Sequence, residues 1–261
     1  MKNNTRLLIY SDHPSTSLDI SYIADNLKQY GLDIENRGNL LDYLSATQED
    51  IGRMARDLSS IQIADIETPL NITSTASGSD IESEFNTLIC REIVSGKFYD
   101  GYWMQRILYR LLSQKVREEL NDGSIHLIFT GRLFGTFEDR RYHARVVLMG
   151  TPSLISTSGL IEAPAKPREY YYVRGRMIQS GMDTSELDSA YKGRFVEYDD
   201  PKISSILLSY ALQVVAYEKT GQAFCDDPGC CLSNSHWQEE VLKVQYEGAL
   251  CSKCKESIGG K

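Results

Sequence analysis

No apolar run in this chain approaches the roughly 20 residues that a membrane-spanning helix needs. The N-terminus passes from Arg6 through only Leu7–Tyr10 before Ser11 and Asp12, too short for the apolar core of a secretory leader. These absences lead us to expect a cytoplasmic protein with no membrane partner. Histidine is scarce: there are 4, at positions 13, 126, 143 and 236. No two stand four apart, so no helix carries the paired imidazoles by which a zinc hydrolase holds its metal. A surplus of positive charge is also missing. The net charge of −8 disfavours nucleic acid as a partner, because a nucleic-acid binder presents a basic field. Proline is sparse, with 7 residues. There is no internal repeat and no linker long enough to divide the chain.

What is present is ordinary for a globular protein: 41% hydrophobic and 25% charged residues in a chain of 261, enough to bury one large core. The unusual feature is cysteine. Cys225-Asp226-Asp227-Pro228-Gly229-Cys230 is followed, after 20 residues, by Cys251-Ser252-Lys253-Cys254. Two pairs at these separations can surround one tetrahedral metal. Four thiolates select zinc and leave no open position, so the site builds structure and does no chemistry of its own. Cys231 competes with Cys230 for the second place, and Cys90 reads as a small apolar residue on a helix. A redox role for Cys251 and Cys254 would need a strand leading into a helix start, which the sequence does not provide.

The rest of the chain reads as α/β. Arg6–Tyr10 is a strand, a helix capped by Ser17 carries Ile20, Ile23, Ala24 and Leu27, and Gly31 ends it. Leu32–Glu35 is a second strand, giving a βαβ opening over residues 1–66 that closes with a third strand at Ile61–Ile66. Between them, residues 40–58 are helical with a break near Ser45–Thr47. Ser79-Asp80-Ile81-Glu82 has capping-box spacing before a helix with Ile81, Phe85, Leu88, Ile89 and Ile93 on its apolar face. Another helix runs to Leu120 and stops at Asn121-Asp122-Gly123. Residues 124–178 read as β-rich, with strands at Ile125–Thr130, Tyr142–Met149, Leu154–Glu162 and Glu169–Ile178. Residues 200–221 form a helix with apolar positions Ile203, Ile206, Leu207, Tyr210, Ala211, Val214 and Val215, a period near 3.6. Residues 222–261 are the cysteine segment, and 1–261 is taken as a single domain.

A long helix, a glycine turn, Cys-x4-Cys with an Asp-x-Pro interior and a later Cys-x-x-Cys resemble the C-terminal half of the archaemetzincins, zinc metallopeptidases of the metzincin type. The resemblance covers about the last 60 residues by motif. It implies a zincin-like fold, a mixed sheet with packed helices, and a structural zinc on Cys225, Cys230, Cys251 and Cys254. Gly221 falls on the family's motif glycine, and the insert is one residue longer than the family's. The catalytic motif, H-E-x-x-H-x-x-G-x-x-H, is not there. Its three histidine positions hold Val214, Glu218 and Phe224, its general-base position holds Val215, and Leu232 stands where the family has the methionine of its Met-turn. Valine and phenylalanine cannot ligate zinc, and one carboxylate does not hold it.

The expectation is therefore a catalytically inactive relative with one structural zinc, acting in binding or regulation on an unidentified protein or peptide partner. The alternative is a zinc-dependent hydrolase or peptidase with a relocated site, for which His126, His143 and Glu218 are the candidates. A basic and aromatic stretch, Arg132, Phe134, Phe137, Arg140, Arg141, Tyr142 and Arg145, reads as a solvated hairpin in preference to a single-strand binding surface.

Overall fold

The structure is a computed structural model that describes residues 5–13, 17–72, 76–91 and 96–259. In chain order the elements are β1 (Arg6–Ser11), α1 (Ile20–Lys28), β2 (Asp33–Asn39), α2 (Leu40–Tyr43), α3 (Gln48–Ser60), α4 (Gly78–Cys90), β3 (Phe98–Asp100) and α5 (Gly101–Lys115). Then come β4 (Ile125–Thr130), β5 (Leu133–Glu138), β6 (Arg141–Arg145), β7 (Val147–Leu148), β8 (Ser153–Ser156), α6 (Thr157–Glu162), α7 (Arg168–Gln179) and α8 (Ser185–Ala190). The chain ends with α9 (Ile203–Thr220), α10 (Gln238–Val241), which widens into a π turn over Leu242–Tyr246, and α11 (Ser252–Ile258).

A five-stranded sheet in the order β2-β1-β4-β8-β7 organises the molecule. Its pairs are parallel except β7 with β8. Alternation along the strands sorts side chains onto two faces. Leu7, Ile9, Leu127, Phe129 and Ile155 join a core shared with α1 and α9. Leu8, Tyr10, Ile128 and Leu154 join a second core with Leu58 of α3 and Ile107 and Leu108 of α5. Both faces are covered by helices, which is why these strands read as continuous apolar runs.

The α/β class and the βαβ opening are as expected, but several elements differ. Residues 61–66 make only a single bridge, Gln62 to Tyr99, and no strand. The α1 cap is Asp19, whose carboxylate accepts from Tyr22 N at 2.9 Å. The α4 cap is Ser77, which accepts from Asp80 N at 3.2 Å. Ile93 lies outside the described residues. The helix expected to reach Leu120 ends at Lys115.

The 124–178 section is β-rich only in its first part. Its β5–β6 hairpin belongs to a separate three-stranded sheet with β3 and turns at Asp139 and Arg140, both with positive φ, as the right-handed twist of a tight hairpin requires. The expected strand at 154–162 stops at Ser156, because its hydroxyl accepts from Gly159 N at 2.7 Å and caps α6. Residues 169–178 form a helix. Among the described residues their aromatic and β-branched run has no neighbouring strand to pair with, and Tyr170 instead packs against Leu187 and Phe195.

Candidate metal centre

Helix α9 delivers the chain to the cysteine cluster. From Ile203 to Ala216 it is buried on almost every side, the signature of a helix inside a core. Gly221 terminates it at φ +73°, with its N–H donating to Tyr217 O at 2.7 Å. A glycine carries that left-handed conformation at least cost. The chain then turns back, with Cys225 N donating to Leu232 O at 2.9 Å and Cys231 N to Ala249 O at 3.1 Å. Asp227 shapes the loop between the first two cysteines by accepting from Gly229 N at 2.9 Å. Cys251 precedes α11 and Cys254 lies in its first turn, so the Cys-x-x-Cys spacing brings both thiols together.

Ligand atoms of Cys225, Cys230, Cys251 and Cys254 all lie within 4.8 Å of one another. Cys225 Sγ is 3.7 Å from Cys251 Sγ. Sulfurs bound tetrahedrally to zinc stand roughly 3.8 Å apart, far beyond the roughly 2 Å of a disulfide. The donor set therefore fits zinc. Two backbone N–H groups already point at sulfurs, Asp227 N at Cys225 Sγ and Cys251 N at Cys230 Sγ, each at 3.4 Å, which favours the thiolate. Burial pushes the Cys254 thiol up, and a bound cation would offset this. Cys231 is not in the group. It is buried, and burial raises its thiol to about 11.

The four positions expected from the resemblance in place of a catalytic motif differ in exposure. Val214 and Val215 are 0% exposed and belong to the core. Glu218 is exposed and Phe224 is 38% exposed. Beside them runs a groove of about 90 Å³ lined by Val146, Val147, Tyr210, Phe224 and His236.

The relocated set does not assemble either. His126 sits with Nδ1 3.2 Å from the Tyr10 hydroxyl, while His143 faces Thr136 across the hairpin. Among the described residues, the four cysteines are the only group of three or more His, Cys, Asp or Glu side chains placed to share a metal. In the basic and aromatic stretch, Phe134 and Tyr142 are buried and Arg132 is 4% exposed, while Phe137 and Arg145 are half-buried and Arg140 and Arg141 are exposed.

One polar cluster escaped the sequence reading. Arg132 donates to Asp12 Oδ2 at 2.9 Å and to Glu84 Oε2 at 3.2 Å. Lys97 reaches Glu84 at 3.1 Å, and the Tyr99 hydroxyl also donates to Glu84. Burial pushes the Asp12 carboxyl up, but the bond from His13 and the charge of Arg132 outweigh it and hold the group well below the usual carboxylate range. Buried charges need such partners. The available signal was Asp12-His13 placed directly after a strand whose middle residues, Leu7–Tyr10, form a continuous buried run.

A model of the probable metallopeptidase family (DUF6775) matches residues 3–260. Among solved structures, archaemetzincin from Methanopyrus kandleri aligns at 10% identity and a TM-score of 0.43, covering 98% of this chain and 94% of that one. A zinc-dependent peptidase from Methanocorpusculum labreanum aligns at 11% identity and a TM-score of 0.40, covering 97% and 99% respectively. No curated protein matches the chain.

Proposed function

Since the chain belongs to the probable metallopeptidase family, we propose that it is a member without a peptidase centre, a cytoplasmic binding or regulatory protein of one domain over 1–261 that is held together by one structural zinc on Cys225, Cys230, Cys251 and Cys254. The observation that carries this reading is the burial of Val214 and Val215 at 0% exposure beside four convergent cysteines. Apolar side chains fill the helix face where imidazoles would have to stand, and a metal with an open coordination position has nothing to hold it there. The four thiolates close their own shell, so their zinc joins the end of α9 to α11 and polarises no substrate. The groove beside Tyr210 and Phe224 is the surface left for a peptide or protein partner.

Metal counting tests the reading. Protein purified without added zinc should contain one zinc per chain, and Cys225→Ser or Cys254→Ser should lose it and melt at a lower temperature. A second tightly held metal that survives both substitutions would overturn the assignment.

A further inference from the structure

The polar cluster at the carboxyl end of the large sheet has an order that a structural staple does not require. From β1 the chain steps to β2 on one side, while β4 and β8 extend the sheet on the other. The reversal lies between β1 and β4, the place where open parallel sheets bind their ligands. Asp12 and His13 follow β1, Thr130 ends β4 and is followed by Gly131 and Arg132, and Thr157 follows β8.

His13 Nδ1 is 2.9 Å from Asp12 Oδ1. With the carboxylate accepting from that nitrogen, the lone pair of the neutral ring lies on Nε2. Nε2 is 3.4 Å from Thr157 Oγ1, whose hydroxyl donates at 3.3 Å to the Thr130 carbonyl oxygen, so the hydroxyl must turn away from that carbonyl to give its proton to Nε2. Asp12 is locked by three further donors: Thr130 Oγ1 at 2.5 Å, Gly131 N at 3.1 Å and Arg132 Nη1 at 2.9 Å. Gly131 lets the imidazole lie against the backbone, since a Cβ there would stand 3.0 Å from the ring. Arg132 Nε, fully buried in the same cluster, has no acceptor. A buried donor left without a partner asks for an explanation.

We propose that Asp12, His13 and Thr157 form a nucleophilic acyl-transfer site, with Thr157 as nucleophile, His13 as general base and Asp12 as a positioning residue, acting without metal on small acyl esters. The roles are those of an oriented base beside a hydroxyl, which are recognised by geometry and not by chain order. Apo distances at such sites run long and close on substrate. Thr157 is 7% exposed and His13 4%, so the site must open before an ester can reach Oγ1.

In the reaction Thr157 Oγ1 attacks the ester carbonyl carbon while its proton passes to His13 Nε2. The bond from that carbon to the alcohol oxygen breaks, and the alcohol departs with the proton. Water then attacks the acyl-threonine and gives a proton to His13 Nε2, which returns it to Thr157. The products are one acid and one alcohol. No residue of this site belongs to α9 or to the cysteine cluster, so the inference stands apart from the structural-zinc reading and goes beyond it.

The test is acylation of zinc-loaded, full-length protein by p-nitrophenyl acetate, mapped by peptide mass spectrometry in a Cys90→Ser background that removes the exposed free thiol. One acetyl group per chain is expected on Thr157, absent in Thr157→Val and slowed about a hundredfold in His13→Gln. Charged groups around His13 are Asp12 and, behind it, Arg132 and Glu84. Asp12→Asn should slow labelling at saturating ester while leaving the half-saturating concentration unchanged, because Nδ1 loses the carboxylate that fixes the ring's tautomer and orientation. Acetyl groups found only on lysine or cysteine, or equal labelling rates in His13→Gln, overturn the proposal. Where a variant fails to fold, the background protein alone decides: acetyl-Thr157 supports the site, and its absence removes it.

Discussion

At Val214 and Val215 two γ-methyl pairs pack inside the core at the positions proposed to stand in place of a catalytic histidine and glutamate. Both side chains are 0% exposed within the core that α9 shares with the sheet. Val214→Ala should therefore lower the free energy of unfolding by about 1–3 kcal/mol in urea titrations, while the zinc content stays unchanged. Unchanged stability would mean that the helix face is not packed, and that a cleft remains. At this scale the candidate metal site was legible, because Cys-x4-Cys and Cys-x-x-Cys together specify four thiols at one point. The choice between Cys230 and Cys231 was not. Cys231 N is drawn to Ala249 O at 3.1 Å, a backbone contact between segments 18 residues apart, and this aims the neighbouring Cys230 at the cluster. Asp12, His13 and Thr157 were invisible as a group, since they meet only where three strands end side by side.

Elements with a strong local signal were readable. Helix α9 announced itself by its 3.6-residue apolar period and its terminal glycine. Gly221 sits at φ +73° with open space around the position of an added Cβ, so Gly221→Ala introduces backbone strain alone. It should cost about 1–2 kcal/mol, read as a lower melting temperature in the zinc-loaded protein. A neutral result would show that the turn into Cys225 does not depend on the left-handed conformation. Helix α7 shows the opposite case. Its tyrosines and valine have strand propensity, but β-propensity expresses fit to a half-buried pleated surface. Among the described residues no strand pairs with 168–179, so the local hydrogen bonds of a helix prevailed. The break after β8 turned on one hydroxyl, that of Ser156, which caps α6 instead of continuing the ladder.

Across the whole molecule, two cores lie on opposite faces of one sheet. The cysteine segment belongs to only one of them, the core containing α1 and α9. Metal removal should be felt unequally. Chelation at neutral pH should lower the melting temperature and raise hydrogen exchange in α11 and residues 225–232. Amides of α3 and α5, packed on the other face, should keep their protection. Uniform loss of protection would show that the zinc governs the entire fold and not one end of it. Among the described residues, no helix is long and apolar enough to cross a membrane.

The sequence by itself determined the α/β class, the βαβ opening, the central apolar helix and the four-thiolate pattern, because each rests on local periodicity, turn chemistry or fixed ligand spacing. Only the tertiary structure decided which way ambiguous segments went, since the fate of 154–162 and 169–178 turned on neighbours distant in the chain. It alone brought Asp12, His13, Arg132 and Thr157 together, for a site built from the ends of three strands exists only once the parallel order β1-β4-β8 has been made.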